Sequence, residues 1–246
     1  MSLEQEKRFY FHAQGHAFSG QFFRPVCVPV EAQASVSLPT IGGHAHARVE
    51  SLYIPRLVSF QSAHSHVSGS EVGGIYTTQV TTTIERLRIL DFLTADRITA
   101  RLTSERRLED KESHILAFGS AFENLRIGGY EVKVILRLEL FVKCKTHADL
   151  VKEVASDAKS GKISHTSRRT GATVCSLVER IETDFPGVDK KKHILEIPHF
   201  GVISLAEVFA EPNCRRVLTM LGLKLGSPDG ANLLGAQAST NGQPWP

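Results

Sequence analysis

Two short histidine repeats carry most of the chemistry in this sequence: His44/His46 in "GGHAHARVE" and His64/His66 in "SFQSAHSHVSG". Residues two apart on a strand face the same side. A reversal at Pro55 would set position 44 against 66 and 46 against 64, placing all four imidazoles on one patch. Facing Cβ atoms in such a hairpin lie ~5 Å apart, close enough for shared ligation of zinc or another transition metal. The simpler reading is four exposed imidazoles on a strand surface, with no resident cofactor. The only acid near the patch is Glu50, on the same face and about two residue pairs away. If this face lies in a subunit contact, assembly is expected to weaken as the imidazoles acquire charge, because like charges then face one another.

The other histidines are less suggestive. His12 and His16 sit in a strand pattern, and His193 and His199 bracket "ILEIP" at expected strand ends. There is no G-x-S-x-G elbow, H-E-x-x-H pair, Walker-type loop or G-x-G-x-x-G fingerprint. "SGKIS" at 160–164 lacks the glycine spacing of a phosphate loop. The acids of "SERRLEDKES" form a charge-mixed turn, which is ordinarily solvated. Lys159, Lys162, Arg168, Arg169 and Lys190 to Lys192 could form a basic patch, but no aromatic residues are interleaved for base stacking, which argues against nucleic acid as a partner. These features favour a non-catalytic protein over an enzyme.

The elements that must position these residues read as strands. "RFYFHAQGHAFSGQFF" predicts a hairpin about Gln14-Gly15, with Phe11 opposite Phe18. Pro25, Pro29 and Pro39 mark the next stretch as loop or edge, since proline cannot donate to a ladder. In "IYTTQVTTTIERLRILDFL", Thr77, Gln79, Thr81 and Thr83 share one face, and Thr78, Val80 and Thr82 the other. "RITARLTSE" alternates in the same way. Gly128-Gly129 predicts a hairpin between "HILAFGSAFENLRI" and "EVKVILRLELF". One helix is expected at 147–159: Thr146 and Asp149 form a capping-box-like pair, and Leu150, Val151, Val154, Ala155 and Ala158 share a face. Strands resume at "ATVCSLVERIE", "HILEIPHFGVISLAEVFA" and "RRVLTMLGLKLG".

Composition bounds the rest. The 246 residues are 41% hydrophobic and 22% charged, enough for a sizeable core in an ordinary globular domain. A net charge of +3 is too mild to imply nucleic acid or an acidic membrane. No apolar run approaches ~18 residues, so no membrane-spanning helix is expected. The start mixes acids and bases with no apolar segment, which favours a cytoplasmic location, with leaderless export or cell-surface assembly as the alternative. Cys27, Cys144, Cys175 and Cys214 are widely spaced and read as reduced, mostly buried thiols.

Four segments, "LTADRITARL", "GSAFENLRIGGYEV", "LEIPHFGVISLAEV" and "LTMLGLKLGSPDG", resemble strings in bacterial choice-of-anchor type β domains over about residues 81–230. That resemblance implies an all-β surface or assembly module and assigns no catalytic residues.

The expected architecture is all-β: an antiparallel two-sheet sandwich over residues 1–226 with one peripheral helix, and an extended polar tail over 227–246. A β-solenoid is the alternative, disfavoured by the lack of a fixed repeat. The expected function is a non-catalytic structural protein that self-assembles into a homo-oligomer or filament. Alternatives are a metal-binding protein or metalloenzyme using His44, His46, His64 and His66, and a module that binds carbohydrate or another surface ligand.

Overall fold

The computed structural model describes residues 8–159, 165–167, 169–212, 215–226 and 229–245. In chain order the strands begin with Arg8–Tyr10 (β1), Ala13–Phe22 (β2), Val28–Gln33 (β3) and Val36–Ser37 (β4). Gly43–Val49 (β5), Leu52–Ile54 (β6), Val58–Phe60 (β7), Ser62–Val72 (β8), Ile75–Ile89 (β9) and Leu93–Arg106 (β10) follow. Short strands come next: His114–Leu116 (β11), Ala121–Glu123 (β12), Arg126–Ile127 (β13), Tyr130–Glu131 (β14) and Lys133–Leu136 (β15). Two helices, Leu140–Lys143 (α1) and His147–Lys159 (α2), precede His165–Thr166 (β16), Thr173–Ser176 (β17), Val178–Glu182 (β18) and Asp189–Lys191 (β19). Ile194–Ile197 (β20), Gly201–Ala210 (β21), Arg216–Leu225 (β22), Ala231–Thr240 (β23) and Gln243–Trp245 (β24) complete the series.

These strands form two large antiparallel sheets, as the alternation predicts. The first is built on β9, which pairs with β8 and β10; β5 pairs with β8 at one edge, and β13 and β14 extend the other. The second runs β16-β17-β21-β22-β23-β2-β3. Ribbons β1–β24 and β15–β18 flank them. β2 and β23 pack across β8, β9 and β10. Between the layers lie Val67, Val80, Ile84, Ile98 and Leu102 from the first sheet, and Phe18, Leu218, Leu221 and Leu233 from the second, all at 0–1% exposure. Burying each such side chain contributes roughly 1.5–3 kcal/mol.

The second sheet carries a shared irregularity. Buried alternation shifts phase at Ala17/Phe18 in β2, Leu205/Ala206 in β21, Met220/Leu221 in β22 and Gly235/Ala236 in β23. The flanking registers put these positions in one row across four strands. Ala206 and Ala236 hold φ of 46° and 49°, the left-handed region that few non-glycine residues adopt. Alanine at these two positions suits that backbone; Ala17 and Met220 complete the row without a positive φ.

Several expectations are corrected. Gln14-Gly15 is no turn: both lie within β2, and β1 pairs with β24 instead. Phe11 therefore packs on Phe9 and Tyr76, while Phe18 meets Phe60 with centroids 6.4 Å apart. Gly15 is needed for close approach. A Cβ there would stand 2.6 Å from Thr82 Oγ1, the hydroxyl that donates to Gln237 O at 3.2 Å across the core. The Gly128-Gly129 hairpin is present, joining Ile127 to Tyr130. Its second arm is short, however: "EVKVILRLELF" divides into β14, β15 and α1. Arg137 causes the break. Its backbone N–H donates to Leu177 O at 2.7 Å, and its guanidinium reaches Ser176 O and Asp157, so the chain turns inward.

Helix α2 begins and ends where predicted. Asp149 N donates to Thr146 Oγ1 at 3.1 Å and Thr146 N to Asp149 Oδ2 at 3.3 Å, which completes the capping box. Leu150 and Val154 are buried, but Ala155 is exposed and Asp157 is buried in its place, because Asp157 pairs with Arg137 at 2.6 Å. The expected tail at 227–246 contains β23, which pairs on both sides, with β22 and with β2. Its "ANLLGAQAST" alternates well enough to be a strand, and it is a central one.

Candidate functional site

Strands β5, β8, β9 and β10 present one broad polar face to solvent. Register sets its rows: His44–Ser68–Gln79–Thr103, then His46–His66–Thr81–Arg101, then Arg48–His64–Thr83–Thr99. A fourth row, Ser62–Glu85–Arg97–Glu123, closes the patch. The period of two sets these residues on the outer face, where Ser62 and Thr83 are covered by their neighbours, while Ala63, Ser65, Val67, Val80 and Thr82 point into the core.

All four histidines of the two repeats lie on this face and are exposed. The structure does bring them to one patch, but in a different register. His46 faces His66, His44 faces Ser68, and His64 faces Arg48. The expected pairs, 44 with 66 and 46 with 64, are displaced by one rung of the face, because no simple turn occurs at Pro55. Residues 52–60 form a hairpin of their own, β6 with β7, between the two arms. Among the described residues no three His, Cys, Asp or Glu side chains are grouped to hold a metal ion. The fixed charge of Arg48 beside His64 further opposes a cation there.

The rest of the face is tied together by hydrogen bonds. Ser62 Oγ donates to Glu85 at 2.7 Å, and Arg97 bridges Glu85 and Glu123, each at 3.2 Å. The Ser62 hydroxyl, then Arg97, hold the Glu85 carboxyl below its ordinary pKa. Arg101 donates to Gln79 Oε1 at 3.0 Å, and Thr83 and Thr99 hydroxyls pair at 3.3 Å. The four imidazoles, like Ser68, Thr81 and Thr103, make no side-chain hydrogen bond within the patch among the described residues.

The remaining histidines and the thiols are placed differently. His16 lies in β2 beside Ser19 Oγ at 3.1 Å, and burial lowers its pKa. His193 is 3% exposed just before β20, 3.8 Å from Glu207, and His199 occupies the β20–β21 turn at φ 60°. His147 is buried beside Arg216 and Glu112, and burial and then the Arg216 charge lower its pKa. Cys175 is buried and its thiol is pushed up to about 12, whereas Cys27 is exposed, contrary to the expectation of mostly buried thiols; Cys27, Cys144 and Cys175 are all free. Cys214, the "SGKIS" segment, and Lys162 and Arg168 of the basic patch fall outside the described residues.

A cleft of about 370 Å³ is lined by Tyr10, Phe11, His12, Thr40, Asn241 and Gln243, of which Tyr10, Thr40, Asn241 and Gln243 belong to no motif. Asn241 and Gln243 fell in the presumed tail, so no spacing rule could connect them with His12.

A family model described as "Domain of unknown function (DUF8256)" matches residues 9–162 and 143–211. The chain belongs to the DUF8256 family. Its matched span takes in the whole polar face and both helices, and stops before β22. No curated protein and no solved structure matches the chain. No helix among the described residues is long and apolar enough to cross a membrane.

Proposed function

We propose that this protein is a non-catalytic structural β-protein that assembles with copies of itself through the edge of β5. One observation carries this reading. Among the described residues β5 pairs with β8 alone, so the other side of its seven-residue backbone is a free ladder. No proline interrupts Gly43–Val49, and the inward-facing Ala45, Ala47 and Val49 are only half-buried. Sheet edges of this kind template pairing with another chain. Ile41, two residues before the strand, is 89% exposed and would be covered by a neighbour.

The inward side of the strand also suits pairing with a copy of itself. In an antiparallel pair centred on His46, Ala45 meets the neighbour's Ala47 and Gly43 meets its Val49. Small and apolar groups face each other below, and His44 faces Arg48 above. The joined surface would carry both histidine patches side by side.

The test is light scattering on the purified chain, with Ala47→Pro and Ala45→Lys variants. The expected result is a dimer or larger species for the parent, and a shift toward monomer for both variants with the melting transition retained. Proline cannot donate to a ladder and is found on edge strands, and an inward lysine guards an edge against pairing. A monodisperse parent monomer at high concentration would overturn the reading.

A further inference from the structure

Within one chain the exposed imidazoles never surround a common point. Between β5 and β8 the register lays out two four-cornered units on the polar face. His44, His46, His66 and Ser68 mark the first; His46, His66, His64 and Arg48 mark the second. A serine therefore takes one corner of the first unit, and a fixed positive charge takes one corner of the second. In keeping with this, no three His, Cys, Asp or Glu side chains gather to hold a metal among the described residues.

The outer side of β5 gives a different count. His44 and His46 are exposed, two apart, and on one face of a strand that pairs only with β8 among the described residues. A second copy pairing antiparallel along that edge repeats both imidazoles. Set Ala45 opposite the partner's Ala45, one rung from the pair centred on His46. Then His44 faces the partner's His46, and His46 faces the partner's His44. The four Cβ atoms mark a rectangle of ~5 Å by ~7 Å about the two-fold axis, whose centre lies ~4 Å from each, within an imidazole's reach of one ion. The alanines on the opposite face are small and leave the two backbones room to approach. Arg48 is the nearest fixed charge, and Glu50 holds its guanidinium at 3.2 and 3.4 Å, on the side away from His46.

We propose that two copies joined along β5 bind one Cu²⁺ ion on their two-fold axis, through His44 and His46 of each copy. The site rests on the β5 pairing described above, and it gives that pairing a ligand that selects the register centred on Ala45. Four nitrogens around a rectangle suit the tetragonal geometry of Cu²⁺, and imidazole is a favoured donor for it. The imidazoles must be neutral to bind, so uptake weakens as pH falls through the ordinary histidine range near ~6.5.

The full chain, purified without an affinity tag and stripped with a chelator, is titrated with copper sulfate alone. Light scattering follows the mass, and electron paramagnetic resonance follows the copper. The expected result is saturation at one copper per two chains, growth of the dimer with copper, and an axial spectrum split by several equivalent nitrogens. His44→Gln and His46→Gln should each weaken uptake about tenfold or more, and the His64→Gln, His66→Gln double variant should stay within about twofold of the parent. Ala45→Lys keeps both histidines but blocks the edge, so it should lose the shared site. One copper per chain, undiminished uptake by Ala45→Lys, or uptake that depends on His64 and His66 places the ion within one chain and overturns the proposal. A dimer that persists in chelator but takes up no copper overturns the site and leaves the β5 pairing standing. A monomer at every copper concentration overturns both.

Discussion

Burial decides the behaviour of individual ionisable residues more than their position in any motif. His16 and His147 are not in the conspicuous repeats, yet burial lowers both pKa values below the ordinary 6.5. For His147 the neighbouring Arg216 adds to the effect, and Glu112 partly opposes it. A lowered value means that the unfolded chain binds more protons than the folded one as acidity rises. Their contribution to stability is therefore intact above about pH 6.5 and is lost as pH falls from there toward the folded-state values. Urea midpoints measured from about pH 7.5 to 5 should decline for the parent, and the His16→Gln, His147→Gln pair should show a shallower decline. Parallel curves for the two proteins would show that these histidines do not couple to folding.

At the level of elements, α2 shows how far local chemistry reaches. Its cap is a reciprocal Thr146–Asp149 pair, with the Thr146 hydroxyl donating to Asp149 Oδ2 at 2.8 Å and lowering the carboxyl pKa. Thr146→Ala should lower stability by ~1 kcal/mol, seen as a reduced urea midpoint with an unchanged slope. A loss below ~0.3 kcal/mol would mean that packing of Leu150 and Val154 holds the helix start without the cap. The sheets behave differently, since a strand's partner is chosen elsewhere in the chain. "ATVCSLVERIE" reads as one strand, but β17 pairs with β21 in the large sheet and β18 with β15 in a ribbon. Leu177 is the pivot: its N–H donates to Ala206 O at 2.9 Å and its carbonyl accepts from Arg137 N.

For the whole molecule, the closing segment matters most. β23 lies between β22 and β2, and Ala231, Leu233, Ala236 and Ala238 are at 0–2% exposure. Ending the chain after Gly226 removes that central strand and leaves β2 and β22 without their shared partner. Such a chain should be insoluble or should lack a cooperative melt, whereas ending it after Gly242 should preserve the melt and remove only β24. A well-folded 1–226 fragment would mean that β22 and β2 can close the sheet on their own, and would restore the idea of a detachable tail.

The all-β class, the alternating faces of β9 and β10, the Gly128-Gly129 hairpin and α2 with its cap could be read from the sequence alone. Each depends on residues within a few positions of one another, where side-chain period and capping geometry act directly. The common face of His44, His46, His64 and His66 was legible for the same reason, because i and i+2 on a strand share a side. Which imidazole meets which was decided by tertiary structure, since the β6–β7 hairpin consumes residues 52–60 and sets the register. The role of Gly15 was likewise hidden, as the atom it makes room for is on Thr82 in the opposite sheet. Position 241 joined position 12 only when β23 entered the sheet. Contacts between residues so far apart follow from the packing of whole layers, and no local spacing encodes them.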